Sequence, residues 1–320
     1  MGLLTETLPN LSLARPGLDR HAERRGEPDL VARLLADPAT RVLVVRGDKV
    51  AVVTSGEAAS DQPALALRPP EESDSAGLAL YLGQDGAGTA YVAVAGPAAP
   101  EGEGEDGTGD GDGGQWRSLR QVGADLSDRD ATIFATALAL ANWHATHTHC
   151  PRCGTATEPV QGGWLRRCPA DASEHYPRTD VAVIMSVIDD QDRILLARGA
   201  GWGTGRFSVL AGFLEPGESL AAAVAREVHE EVGLDVHDVE YLGDQPWPFP
   251  NSIMVGFTAR ATGSDLRLQE SEIAEARWFT REEYREILAA GQVSASTRLS
   301  IARRIIERWL GHDLDDLAPA

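Results

Sequence analysis

Short apolar runs dominate the first third of the chain. Residues 41–46, 49–54, 78–82 and 89–94 are each rich in Val, Ala, Leu or Tyr and read as strands. Residues 1–125 therefore read as a small β-rich domain. Within it the pattern stops between 96 and 114, where Gly, Ala and Pro surround Glu101, Glu103, Glu105, Asp106, Asp110 and Asp112 without a Lys or Arg. That composition predicts a disordered acidic loop. An alanine-rich stretch over 128–147, with Ile133, Leu138, Leu140 and Trp143, predicts a helix. Strand patterns return at 181–187, 193–197, 207–210 and 252–259, and helical ones at 281–290 and 297–310. Between them, Ala221, Val224, Val228 and Val232 recur at core-facing helical spacing, and Gly233 is placed to end that helix.

The other face of that helix carries the chemistry. Glu227, Glu230 and Glu231 stand at i, i+3 and i+4 and share a face, with Glu218 upstream at the end of a Gly/Pro loop. Glutamates stacked this way repel one another. A solvated acidic face is the usual reason for such a cluster. A divalent metal is the other, because hard cations prefer carboxylate oxygen.

The spacing decides between them. Gly212, Glu218, Arg226, Glu227, Val228, Glu230, Glu231, Gly233 and Leu234 fit the Nudix box at all nine specified positions, so the segment resembles the Nudix hydrolases. The resemblance implies an α+β fold, a Nudix α/β/α sandwich around a mixed sheet, over residues 179–320. It also implies hydrolysis of a phosphoanhydride assisted by Mg²⁺ or Mn²⁺. Glu227 and Glu231 would be inner metal ligands, with Glu231 also the general-base candidate. Glu230 would be a further or water-mediated ligand. Arg226 would orient the carboxylates, and Glu218 would hold the loop or a metal water.

Downstream, Asp244, Gln245, Pro246, Trp247, Pro248, Phe249, Pro250, Asn251 and Ser252 alternate prolines with aromatics. Each proline fixes its own φ and restricts the residue before it, which makes a stiff segment. Flat Trp and Phe faces beside Gln, Asn and Ser suit a ring plus a ribose; a rigid loop with Trp247 and Phe249 in the core suits the pattern equally. The array is similar to the one that distinguishes NADH pyrophosphatases, departing only at Asp244, where that family has serine. The resemblance implies cleavage of NAD(H) to nicotinamide mononucleotide and AMP, and removal of NAD caps from RNA 5′ ends. It further implies substrate contacts at Arg120, Tyr176, Phe213 and the backbone of Ala302, one more metal-binding glutamate at Glu272, and a metal-facing carbonyl at Ala211. Family members are commonly homodimers, and Tyr176 would then serve the neighbouring subunit. Two other readings compete: a Nudix hydrolase of ADP-ribose or a diadenosine polyphosphate, and a non-catalytic zinc-ribbon protein that senses a nucleotide.

The chain's three cysteines cluster at Cys150, Cys153 and Cys168. Cys150 and Cys153 have knuckle spacing. Cys168 opens a second knuckle in which Asp171 stands where a fourth cysteine belongs. Tetrahedral Zn²⁺ accepts a carboxylate oxygen in place of sulfur, so a structural Cys₃Asp site is expected over 126–178, after the linking helix, with His175 as the alternative fourth ligand. A ribbon that has lost its metal is the competing reading.

Charge narrows the partners. Lys and Arg number 29 against 49 Asp and Glu, a net charge of −20. That argues against a broad nucleic-acid groove, so an RNA substrate would be engaged at its 5′ end. Arg166, Arg167, Arg303 and Arg304 read as solubilising surface groups. No stretch approaches the roughly 20 apolar residues of a membrane span, and the N-terminus lacks a signal-peptide pattern. The expectation is a soluble cytoplasmic protein.

Overall fold

The computed structural model describes residues 7–54, 62–96 and 114–317. Most of the predicted acidic loop lies outside the described residues. The chain divides into two compact units: Arg15–Thr179 with Trp247–Asn251, and Met1–Ala14 with Asp180–Pro246 and Ser252–Ala320.

In the first unit, β1 (Arg41–Arg46), β2 (Lys49–Thr54), β3 (Pro63–Leu65), β4 (Leu78–Gln84), β5 (Ala90–Gly96) and β6 (Gln115–Ser118) form one sheet. Its order is β3-β2-β1-β5-β4, with β6 on β2. The β1–β5 pair is parallel. Helices α1 (Leu30–Leu35), α2 (Leu119–Val122) and α3 (Asp128–Thr146) accompany it. Ser127 caps α3 by accepting the Asp130 N–H. The alanines of α3 let it lie close to β1, β4 and β5. Three short antiparallel strands follow, β7 (Glu158–Val160), β8 (Leu165–Arg167) and β9 (Glu174–His175). Arg166 is not the surface group expected. It is buried, donating to Thr157 Oγ1 at 2.7 Å and to His144 Nδ1 at 2.8 Å. The other ring nitrogen of His144 lies 2.8 Å from the Gly163 carbonyl, and burial lowers the pKa of this histidine.

The second unit holds β10 (Asp180–Ile188), β11 (Ile194–Gly199), β12 (Leu210–Phe213), β13 (Val236–Trp247, whose last residue falls in the first unit), β14 (Ser252–Ala261) and β15 (Ile273–Phe279). The sheet runs β13-β14-β10-β11-β15, with β12 on β10, and β10 and β14 are parallel. Alternation along β10 sorts its side chains between two cores. Val183, Met185 and Val187 pack with Val224, Val228 and Val232 of α4 (Leu220–Val232). Ile184 and Ile188 pack with Ile301, Ile305 and Ile306 of α6 (Ile301–Leu310), in a core shared with Tyr284 and Leu288 of α5 (Arg281–Ala289). The result is the expected α/β/α sandwich around a mixed sheet. A strand covered on both faces reads as an unbroken apolar run. Leu8 and Leu11 join the α6-side core, and the Leu8 N–H donates to the Leu242 carbonyl at 2.6 Å.

Several expectations are corrected. Ala221 is exposed and Ala223 takes the core position instead. The strand expected at 207–210 is β12, starting only at Leu210; Ser208 makes a single bridge to Ala197. The last helix starts at Ile301, where Ser300 caps it. The strands β13 and β15 were not expected. They lie at the two ends of the strand order, and half-exposed edge strands such as β13 mix in polar residues that blur the pattern.

Candidate metal and substrate site

The helix α4 is fixed at both ends. Ser219 accepts the Ala222 N–H at 3.2 Å, and Gly233 closes the helix in the left-handed region at φ 72°. Glu227 and Glu231 are buried, while Glu230 is exposed. Arg226 gathers the loop and the helix. Its Nε donates to Glu218 Oε1 at 2.8 Å, and its Nη1 to Glu227 Oε1 and Glu230 Oε2, each at 2.9 Å. Its Nη2 donates to Glu218 Oε2 at 3.0 Å and to the Phe213 carbonyl at 2.9 Å. These carboxylates, Glu218 first, raise the guanidinium pKa well above its ordinary value. Glu218 also accepts the Glu215 N–H at 3.1 Å, so it closes its own loop.

Glu231 stands apart from this network. Its Oε2 is buried and has no hydrogen-bond partner among the described residues. Burial first, then the charges of Glu227, Glu272 and Glu230, push its pKa up to about 8. Glu227 is raised by burial, with Arg226 working against the shift. Glu272 is tied to this helix through the backbone: Gln269 N–H donates to the Glu231 carbonyl at 3.0 Å and Glu272 N–H to the Gln269 carbonyl at 2.9 Å. Ala211 lies exposed on β12, opposite Ile184 of β10, and Phe213 is 61% exposed. An unpartnered buried carboxylate oxygen among four glutamates suits a hard divalent cation.

The Pro/aromatic array divides between the units. In the second unit, Gln245 is fully buried and its Nε2 donates to the Leu299 carbonyl at 2.6 Å. Pro246 is exposed. Asp244, the departure from the family pattern, accepts the Tyr241 hydroxyl. Ser252 pairs with Asp180, and Ala302 packs its side chain into the α6-side core. In the first unit, Trp247 and Phe249 meet edge to face at 4.9 Å. The Arg120 guanidinium lies 3.9 Å from the Phe249 centroid and 5.2 Å from that of Trp247. Asn142 Nδ2 donates to the Pro248 and Pro250 carbonyls at 3.3 and 2.9 Å, and Asn251 Nδ2 to the Arg178 carbonyl at 3.4 Å. Tyr176 is 66% exposed and donates to Glu174. Sequence reasoning missed Asn142; a lone amide in an alanine-rich helix was the available signal. Arg303 and Arg304, read as solubilising, are engaged: Arg303 is buried against Glu307, Asp313 and Asp315, and Arg304 pairs with Glu307.

At the ribbon, ligand atoms of Cys150, Cys153, Cys168 and Asp171 all lie within 4.8 Å of one another. Among the described residues no other His/Cys/Asp/Glu group converges as tightly; the Glu227 and Glu230 carboxylates are drawn to Arg226 instead. Tetrahedral zinc with sulfur at about 2.3 Å sets its ligands about 3.8 Å apart. Cys153 and Cys168 sulfurs stand 3.5 Å apart, and Cys150 Sγ lies 3.7 Å from Asp171 Oδ2. The donor set fits zinc. Asp171 Oδ1 is held by the Ser173 N–H at 2.9 Å and its hydroxyl at 2.5 Å. His175 Nε2 sits behind that hydroxyl at 3.1 Å, outside the converging group.

Three family descriptions match in succession: the NADH pyrophosphatase-like rudimentary NUDIX domain over residues 39–143, the NADH pyrophosphatase zinc ribbon domain over 145–176, and the NUDIX domain over 177–299. The NAD-capped RNA hydrolase NudC of Mycobacterium bovis is 39% identical over 313 residues, 93% of this chain and 94% of that protein. The protein of the same name from Mycobacterium tuberculosis matches to the same extent. The NAD-capped RNA hydrolase NUDT12 of Homo sapiens is 40% identical over 197 residues, 58% of this chain and 43% of that protein. Identity of that extent along nearly the whole of both bacterial chains leaves one assignment: this protein belongs to the NADH pyrophosphatase family of the Nudix hydrolases.

Proposed function

We propose that this protein hydrolyses the pyrophosphate of NAD(H) to nicotinamide mononucleotide and AMP, and removes NAD caps from RNA 5′ ends. The observation that carries the reading is Glu231, buried on the box helix with an unpartnered Oε2 beside Glu227 and Glu272. The relatives matched along nearly their whole length are named NAD-capped RNA hydrolases, and two of the matching family descriptions name NADH pyrophosphatase.

Glu227, Glu230, Glu231, Glu272 and the Ala211 carbonyl would hold Mg²⁺ or Mn²⁺. Such an ion, when bound, offsets the pyrophosphate charge and acidifies a water. Ionised Glu231 takes the proton of the attacking water at a carboxylate oxygen. Arg226 keeps Glu227, Glu230 and Glu218 in place through its fork of hydrogen bonds. Phe213, exposed beside the box glycine, offers a face to a ring. Arg120, Tyr176, Gln245, Pro246, Trp247, Pro248, Phe249, Pro250, Asn251, Ser252 and the Ala302 backbone are the remaining proposed substrate contacts. For Gln245 the contact would run through its buried Oε1, which has no hydrogen-bond partner among the described residues. Zn²⁺ in the ribbon would be structural, on Cys150, Cys153, Cys168 and Asp171. We further propose a cytoplasmic homodimer in which residues 1–125, 126–178 and 179–320 act as successive domains; no described helix is long and apolar enough to cross a membrane.

One assay tests the activity. Purified protein with Mn²⁺ or Mg²⁺ is given NADH, NAD⁺, NAD-capped RNA, ADP-ribose and diadenosine tetraphosphate, and products are resolved. Turnover of NADH, NAD⁺ or NAD-capped RNA ahead of ADP-ribose and diadenosine tetraphosphate is expected. Preference for ADP-ribose overturns the reading.

A further inference from the structure

The segment running from the end of β11 toward β12 has a composition unlike the rest of this acidic chain. Residues 198–206 contain Arg198, Trp202 and Arg206, four alternating glycines and no acid, in a protein of net charge −20. Trp202 is one of the large apolar side chains left exposed, at 38%. The Arg206 guanidinium stands 4.6 Å from its ring centroid. A side chain at Gly199 would meet the indole at 3.2 Å, so the glycine lets the ring lie across the backbone. Arg198 reaches the Trp202 carbonyl at 3.5 Å.

The loop is anchored to Glu272, one of the glutamates proposed above to hold the metal. The Ala200 N–H donates to the Glu272 carbonyl at 2.8 Å, and Trp202 N–H to the Gly199 carbonyl at 3.0 Å. Glu272 in turn is close enough to Glu231 to raise its pKa. At its far end the loop is pinned by the Ser294 N–H donating to the Gly205 carbonyl at 2.9 Å. An exposed indole and a guanidinium are therefore carried on a loop whose Ala200 is hydrogen-bonded to the backbone of Glu272.

We infer that this loop receives the nucleotide that follows the cap in an NAD-capped RNA, with the Trp202 indole stacking on its base and Arg206 pairing with its phosphate. The inference rests on the cap-removal reading above. Aromatic stacking with an adjoining cation is how proteins hold single-stranded nucleic acid without reading its sequence, because every base has a π-face and every linkage a charge. The guanidinium that covers the indole in the free protein gives way to the base and moves to the phosphate. A patch of this size adds a contact beyond the cap without the broad basic groove that the net charge excludes.

The test compares kcat/KM on NADH and on an NAD-capped RNA of ten unstructured nucleotides for the wild type, Trp202→Ala, Trp202→Phe and Arg206→Gln. Trp202→Ala is expected to lower kcat/KM on the capped RNA roughly five- to tenfold more than on NADH, and Trp202→Phe to restore most of that difference. Arg206→Gln is expected to flatten the salt dependence of capped-RNA cleavage. Equal losses on both substrates, or none, overturn the inference. Wild-type protein that cleaves NADH but not the capped RNA overturns it and leaves the NAD(H) activity standing; cleavage of neither removes the proposed function as well.

Discussion

A methyl group on Gly212 would stand 1.9 Å from Cδ of Glu227 and 2.1 to 2.2 Å from its two carboxyl oxygens. The glycine that opens the box is thus required for close approach. It is not among the residues with positive φ, so left-handed backbone is not the reason. Gly212→Ala must displace the Glu227 carboxylate, the mobile end of a flexible side chain. The expected cost in stability is small, about 1 kcal/mol for an off-rotamer side chain. The expected cost in turnover is large, on the order of 100-fold, because a misplacement of about 1 Å at a reacting centre has that effect. Denaturant unfolding and kcat on NADH check the two halves, and near-normal turnover with an unchanged metal requirement would show that Glu227 need not lie where it does.

What the sequence revealed follows from burial. β10 was legible because it is covered on both faces and so is apolar apart from Asp180 and Ser186, and α4 because its Val224, Val228 and Val232 stripe faces one core. β13 and β15 were not, since edge strands need only one apolar face and β13 carries Asp238, Glu240 and Asp244. The box residues were visible as a spacing. That Gly212 serves approach to Glu227, and that Arg166 is a buried strut on His144 and Thr157 rather than a surface charge, are contacts between separate segments, which no local pattern encodes.

Glu231 links activity to stability. Its pKa is about 8 in the folded, metal-free protein against an ordinary 4.5. The folded state therefore holds a proton that the unfolded chain has released. Metal-free stability should fall as pH rises from about 4.5 to about 8, and it should be fully spared below that window. Glu231→Gln removes this slope. The variant is expected to melt higher than wild type near pH 8 in chelator, while its kcat falls by orders of magnitude. Thermal unfolding in chelator across pH 5 to 8.5 reads the first effect; identical slopes for the two proteins would mean that the carboxyl is already ionised at neutral pH.

Asn142 is the residue of α3 that fixes the turn of the array, through the Pro248 and Pro250 carbonyls. Hydrogen bonds of this kind contribute about 1 kcal/mol each. Asn142→Ala should leave the Trp247 and Phe249 rings on a looser loop. The expected result is a several-fold rise in KM for NADH with kcat little changed and metal dependence untouched. A fall in kcat at constant KM would instead place the array in the chemical step.

The ribbon offers a choice between two fourth ligands, and the geometry favours the carboxylate. Asp171 converges with the three sulfurs, whereas His175 stands behind the Ser173 hydroxyl that holds Asp171. Asp171→Ala should therefore cost most of the bound zinc, and His175→Ala should cost little. Ser173→Ala removes the donors' side-chain half and should weaken zinc by roughly 10- to 100-fold, the usual effect of losing a group that orients a ligand. Asp171→Cys should keep the metal, and in the cobalt-substituted protein it should strengthen the thiolate charge-transfer absorption by adding a fourth sulfur. Metal content by atomic emission and the cobalt spectrum report the ligand set without reference to catalysis. Zinc retained in Asp171→Ala but lost in His175→Ala would reverse the assignment and make the aspartate the orienting group.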